Sequence, residues 1–192
     1  MDWSLELVLS NYAQGFFLMA DEQGALGWYT SRERAILPLD ENFRYPKSLR
    51  RVLNQNRFSI AIDRDFTRVC QGCADRDSTW ISAELINIYT ALHQAGYAHS
   101  FEAWSGDRLA GGVLGIALGG AFIGESMFFN IADGSKVALV KLVEHLRDRK
   151  FELFDVQLQN PHLERFGTHT ISEAAYQQRL QSALELPCQF IE

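Results

Sequence analysis

The chain has 192 residues, 47% of them hydrophobic and 12% aromatic, with a net charge of −6. That length suits one sizeable domain, or one domain with a small appendage, and the composition can build an ordinary core. No run approaches the roughly 18 apolar residues of a membrane span. The opening MDWSLELVLSNY carries two acids and no basic n-region, so the expectation is a cytoplasmic chain without membrane contact.

In chain order, a short helix is expected over Leu5 to Ala13. An aromatic-rich stretch follows, with Phe16, Phe17, Trp28 and Tyr29 around a DEQG turn. This part reads as a small N-terminal subdomain or lid over residues 1–40, with the main domain over 41–192. Pro38 and Pro46 punctuate the passage between them. Lys47 to Leu53 is predicted helical. Phe58, Ile60 and Ile62 alternate with Ser59, Ala61 and Asp63, the pattern of a half-buried strand. Phe66 to Gly72 is a short helix. Ser82 can cap a helix whose Leu85, Ile88, Tyr89 and Leu92 share one face, and Gly96 ends it.

His99 to Trp104 is a strand, and S-G-D-R turns it into Leu109 to Leu118. Gly119 and Gly120 turn again into Ala121 to Phe129, giving an antiparallel meander of three strands. Ser135 precedes an amphipathic helix with Leu139, Leu142, Val143 and Leu146 on its buried face; Arg147, Arg149 and Lys150 suit its C-terminal end. Residues 151–159, FELFDVQLQ, form a strand connected through that helix and therefore parallel to its neighbour. The fold class is α+β: a mixed sheet with flanking helices, in the order shown by the acetyltransferase superfamily (GNAT-type).

Several chemistries find no support. Three cysteines do not make a disulfide framework, and Cys70 and Cys73 form a lone C-x-x-C that reads as two small residues near a strand end. There is no G-x-S-x-G and no P-loop. The five histidines lack metal-ligand spacing, so no metal and no cofactor are expected. An acetyl-CoA enzyme calls for a Gly-rich pyrophosphate loop after the meander, and NIADGSK has one glycine. The negative net charge is mild evidence against a nucleic-acid binder. Residues 44–57 stand apart, because Arg44, Lys47, Arg50, Arg51 and Arg57 occur there with no acid.

Two carboxylates sit inside apolar runs. In FELFDVQLQ, Phe151, Leu153, Asp155 and Gln157 alternate onto one face, which turns polar at its C-terminal end. In FIGESMFF, Ile123, Glu125 and Met127 share a face, and Gly124 leaves room for a ligand or backbone. A lone buried carboxylate costs several kcal/mol unless it is paired, hydrogen-bonded or protonated. Adjacent carboxylates would raise each other's pKa, the preparation of a base near neutral pH; a buried structural pair has the same pattern.

The stretches NYAQGFFLMA, WYTSRERAILPLD, CADRDSTWIS, HSFEAW, LAGGVLG, GESMFF, SKVALVKLVEHL, FDVQ and NPHLERFG, in this order and spacing, resemble the leucyl/phenylalanyl-tRNA–protein transferase family. The resemblance implies an acetyltransferase-like domain preceded by a short, trimmed N-terminal part. It implies an aminoacyltransferase that moves Leu or Phe, less often Met, from Leu-tRNA or Phe-tRNA to acceptor proteins with N-terminal Arg or Lys, marking them for degradation. A monomer is expected. Asp155, Gln157 and Glu125 match catalytic positions. Trp80, Tyr89, Val113, Ser126 and Met127 match substrate-binding positions, with Trp80 and Tyr89 near the terminal adenosine and Val113 and Met127 around the transferred side chain. Val113 stands where Met is common in the family, Phe129 where Ser is usual and Leu18 where Pro is usual.

On this reading Asp155, oriented by Gln157, takes a proton from the attacking amine. Glu125 holds a cation, either the acceptor's Arg or Lys or the α-ammonium of the aminoacyl group. The basic residues of segment 44–57 meet tRNA phosphates. The alternatives are an acetyl-CoA-dependent acyltransferase on the same fold and a non-catalytic binder of protein N-termini or tRNA.

Overall fold

The computed structural model describes residues 3–75 and 79–191. Residues 76–78 of the stretch CADRDSTWIS lie outside the described residues. The chain runs α1 (Leu5–Ala13), β1 (Phe17–Ala20), β2 (Leu26–Tyr29), β3 (Glu33–Ile36), α2 (Lys47–Asn54), β4 (Ser59–Ile62), α3 (Phe66–Ala74) and α4 (Ala83–Gln94). It continues through β5 (Ala98–Ser105), β6 (Arg108–Leu118), β7 (Ala121–Phe129), α5 (Gly134–Asp148), β8 (Leu153–Gln157), α6 (Pro161–Glu164), β9 (His169–Ser172) and α7 (Glu173–Leu184).

Local signals account for most of these boundaries. The Ser82 hydroxyl accepts the Leu85 backbone N–H at 3.2 Å and starts α4. All four apolar residues of its predicted face are buried. Gly96, at φ +82°, takes the left-handed conformation just past the helix that a residue with Cβ adopts reluctantly. The Asp65 side chain caps α3 by accepting from the Arg68 backbone N–H. Cys70 and Cys73 are both fully buried in that helix, and not near a strand end as their spacing suggested. Helix α5 opens at Gly134, one residue before Ser135, with Asp133 as its N-cap.

Seven strands form one mixed sheet in the order β4-β5-β6-β7-β8-β3-β9. The meander β5-β6-β7 is antiparallel, and β8 joins β7 in parallel after the crossover through α5. Beyond β8 the sheet continues with β3 and β9, both antiparallel additions that the sequence pattern did not reveal. Residues 33–36 therefore lie inside the main sheet, while β1 and β2 form a separate two-stranded hairpin.

Helices cover both faces. On one, residues of α1, α3 and α4 (Val8, Val69, Leu85, Leu92) pack against Trp104, Leu114 and Ile116. On the other, α2 and α5 contribute Leu49, Val137, Leu142 and Leu146 against Phe101, Val113 and Phe122. A third cluster joins Tyr176 and Leu180 of α7 to Ile36 and Leu153. No helix among the described residues is long and apolar enough to cross a membrane.

Candidate active site

Pairing between β7 and β8 ends at Ile123↔Asp155, although β7 runs on to Phe129 and β8 to Gln157. The two strands part beyond that point and open a cleft of about 460 Å³. Its apolar wall is made by Val113, Met127, Leu139, Phe154, Val156 and Leu163. Phe17, Met19 and Trp80 close the side toward the N-terminal hairpin, and Phe129 and Leu158, 64% and 51% exposed, stand at the rim. Gly124 shapes the split: a Cβ there would lie 2.9 Å from the Phe154 ring.

Glu125, Ser126 and Gln157 supply polar groups along the cleft. Glu125 is 6% exposed. Its Oε2 accepts the Tyr89 hydroxyl at 2.7 Å. Its Oε1 accepts no well-formed hydrogen bond, the Tyr12 hydroxyl lying near without completing one. Burial is the main force on this carboxyl and pushes its pKa up to about 7, against the pull of the Tyr89 and Tyr12 hydroxyls; the Asp155 charge adds a little and Arg34 takes a little away. Tyr89 is fully buried, so it holds Glu125 from within the core and does not line the cleft, whereas Trp80 does.

Asp155 is arranged differently from the sequence expectation. It is fully buried and does not line the cleft. Arg34 donates to it twice, Nε to Oδ1 at 2.8 Å and Nη2 to Oδ2 at 2.6 Å. The Tyr176 hydroxyl donates to Oδ2 at 2.8 Å, and the Gln157 backbone N–H donates to Oδ1 at 2.9 Å. Both oxygens are occupied, so this carboxylate has no free lone pair aimed at a ligand. Arg34 itself is 1% exposed, stacked between the rings of Phe17 and Tyr176, and donates to the Gly15 carbonyl at 3.0 Å. Burial alone would lower its pKa; the Asp155 contacts outweigh that and raise it.

Asp155 and Gln157 also do not share a face. Gln157 has φ +57°, which ends the strand alternation and turns its side chain into the cleft beside Phe154 and Val156. Its Nε2 is buried without a hydrogen-bond partner. Arg34 is the residue that sequence reasoning missed. The signal was present: Asp155 inside an apolar strand requires a counter-charge, and RERAIL puts a cation at the start of an apolar run.

The five cations of residues 44–57 are all exposed. Leu49 is buried and Val52 and Leu53 are half-buried against the α5 side of the core, so α2 presents its basic face outward.

A sequence model described as leucyl/phenylalanyl-tRNA protein transferase matches residues 36–181, and one described as the N-terminal domain of that protein matches residues 1–32. The leucyl/phenylalanyl-tRNA–protein transferase of Gloeothece citriformis is 64% identical over 191 residues, covering the whole of both chains. Proteins of the same name from Synechocystis sp. and Rubrobacter xylanophilus are 60% and 51% identical, over 99% and 94% of this chain and 96% and 95% of theirs. Among solved structures, that of L-PGS from Bacillus licheniformis superposes with a TM-score of 0.51 at 12% identity, over 94% of this chain and 70% of that one, a likeness of fold alone.

Proposed function

This chain belongs to the leucyl/phenylalanyl-tRNA–protein transferase family, and we propose that its cleft transfers Leu or Phe, less often Met, from aminoacyl-tRNA to the N-terminal Arg or Lys of proteins, marking them for degradation. The observation that carries this reading is the buried Glu125 carboxyl on the lining of an apolar cavity large enough for a Leu or Phe side chain. An acidic acceptor next to an apolar pocket suits a substrate with both a cation and an apolar group. The mixed sheet with a splayed parallel pair is consistent with an acetyltransferase-like ancestry. The NIADGSK loop that opens α5 carries one glycine, where an acetyl-CoA pyrophosphate calls for a Gly-rich loop.

The reaction is aminolysis of an ester. The acceptor's α-amine, with a reference pKa of about 7.7 to 8.0, attacks the aminoacyl carbonyl carbon as the free base. The C–O bond to the terminal ribose breaks, and the proton lost by the amine ends on the departing ribose oxygen. The ester is already activated, so positioning supplies most of the catalysis. The Gln157 amide, its Nε2 otherwise unpartnered, donates to the carbonyl oxygen as negative charge develops on it. Asp155 is a positioning residue here: it holds the backbone N–H of Gln157 and is itself held by Arg34 and Tyr176. Glu125 takes the cation. The wall of Val113, Met127 and Phe154 selects apolar side chains but separates them weakly, because one methylene is worth about 1 to 3 kcal/mol. Trp80 offers a stacking surface for the terminal adenosine.

The test is transfer of radiolabelled leucine from Leu-tRNA to a model protein beginning with Arg, beside the same protein beginning with Ala. Label on the Arg protein alone is the expected result; none on either, with tRNA still bound, would leave a binding module. Gln157→Ala should lower the transfer rate roughly 10²-fold with the fold intact, as expected for loss of one oxyanion donor.

The basic face of α2 and its flanks contacts tRNA phosphates without reading sequence. Arg50→Ala/Arg51→Ala should weaken tRNA binding and flatten its dependence on salt by about one to two units of slope, roughly one counterion per lost contact. An unchanged slope would remove these residues from the interface.

A further inference from the structure

Away from the cleft, Asp63 at the end of β4, His93 in the last turn of α4 and His99 near the start of β5 converge. Among the described residues they are the one group of three such side chains whose ligating atoms all lie within 4.8 Å of one another. Their sequence spacing gives no hint of this; α4 and its return into β5 bring them together.

His99 is held between two oxygens. Its ring is 3% exposed, and both of its nitrogens face oxygen acceptors: Nδ1 is 2.7 Å from Asp63 Oδ2 and Nε2 is 3.2 Å from the Gly96 carbonyl oxygen. A neutral imidazole has one N–H. A second N–H, as in the imidazolium, satisfies both contacts; an ion on Nδ1, with Nε2–H donating to the Gly96 carbonyl, satisfies them as well. Metal-bound histidines have this arrangement, one nitrogen on the ion and the other donating to a backbone carbonyl that fixes the ring.

His93 brings its Nδ1 to 3.9 Å from Asp63 Oδ1 and is stacked flat on Phe66 at 4.0 Å. The other face of the His99 ring environment is closed by Phe190, 4.5 Å away. Asp63 is held in the left-handed region, at φ +55°, with Oδ1 accepting the Ser100 backbone N–H at 2.7 Å. The three groups are thus fixed by three separate elements.

We propose that Asp63, His93 and His99 form a binding site for a divalent ion of the zinc class, which ties β4, α4 and β5 together. A carboxylate and two imidazoles suit such an ion, with water completing the tetrahedron. Ligand atoms about 2.0 to 2.1 Å from a tetrahedral ion lie roughly 3.3 Å apart. Loading therefore opens the Asp63–His99 contact slightly, draws Asp63 and His93 together, and takes His93 Nδ1 from the Ala98 carbonyl oxygen 2.9 Å away.

The experiment uses tag-free full chain, treated with chelator and desalted. Co²⁺ is titrated while the visible spectrum is recorded, and Zn²⁺ is titrated by calorimetry. One ion per chain, tetrahedral Co²⁺ bands displaced by Zn²⁺, and a thermal midpoint raised by Zn²⁺ are expected. Asp63→Asn and His93→Gln should each weaken binding at least tenfold. No Co²⁺ band and no heat up to millimolar ion would overturn the site, as would folded variants that bind as the wild type does. If either variant fails to fold, the wild-type titrations decide alone.

Discussion

Arg34→Met should destabilise the protein by about 3 to 5 kcal/mol, because it strands Asp155 as an uncompensated charge in the core. Arg34 and Asp155 are 1% and 0% exposed and share a two-pronged contact at 2.6 and 2.8 Å, so solvent cannot substitute for either partner. The same substitution removes the donor to Gly15 and a cation held between two rings. Denaturant unfolding of the variant beside Arg34→Met/Asp155→Leu separates the causes. The double variant should recover part of the loss, since an apolar pair of similar volume replaces a charge left alone. A single-variant loss below about 1 kcal/mol would mean that Asp155 finds another partner. Transfer activity should fall in the double variant, because no carboxylate then accepts the backbone N–H of Gln157 in the left-handed turn that aims its side chain into the cleft; in Arg34→Met the fall is smaller, since Asp155 keeps that contact and loses the guanidinium that holds it.

The second large effect concerns Glu125 and pH. Its folded pKa of about 7 lies above the usual carboxylate value, chiefly through burial. Between the unfolded and folded pKa values the native state therefore holds more protons than the unfolded chain, and stability falls as pH rises through that window. The raised pKa contributes its full stabilising effect in acid, below the unfolded value, and loses it by neutrality. The difference is about 3 kcal/mol across the window, at 1.36 kcal/mol per unit. Glu125→Gln should consequently be more stable than the wild type at pH 8 and little different at pH 4. It should also bind a substrate cation weakly at pH 8, where the wild-type carboxylate is ionised. A variant with no gain at pH 8, or with wild-type affinity for both substrates, would remove the carboxylate from this role. Keeping a group that costs stability at working pH is the trade expected of a binding residue.

Much of the scaffold was legible because its determinants are local. The apolar spacing in α4, its Ser82 cap and its terminal Gly96 lie within a few residues of each other, and the two tight turns of the meander carry their own signals. The parallel placement of β8 followed from chain handedness once α5 was recognised. The basic face of α2 was legible too, since exposure of charge around one buried Leu49 needs no distant information.

The amino-acid sequence by itself determined the α+β order, the apolar runs that hold Glu125 and Asp155, and the family to which the chain belongs. Tertiary structure alone decided what those carboxylates do. Asp155 meets an arginine 121 positions away, on a four-residue strand too short to announce itself, and that pairing withdraws it from the cleft. Gln157 leaves the strand alternation because its backbone turns to φ +57°, and side-chain parity cannot anticipate a reversal in the last residue. Glu125 reaches the cleft because β7 and β8 separate just beyond Ile123, while the Tyr89 hydroxyl holds one of its oxygens from the core side. Sequence patterns report which residues can be buried; partners are set by which segments meet across the fold, and charge in a low-dielectric interior responds to those partners above all else.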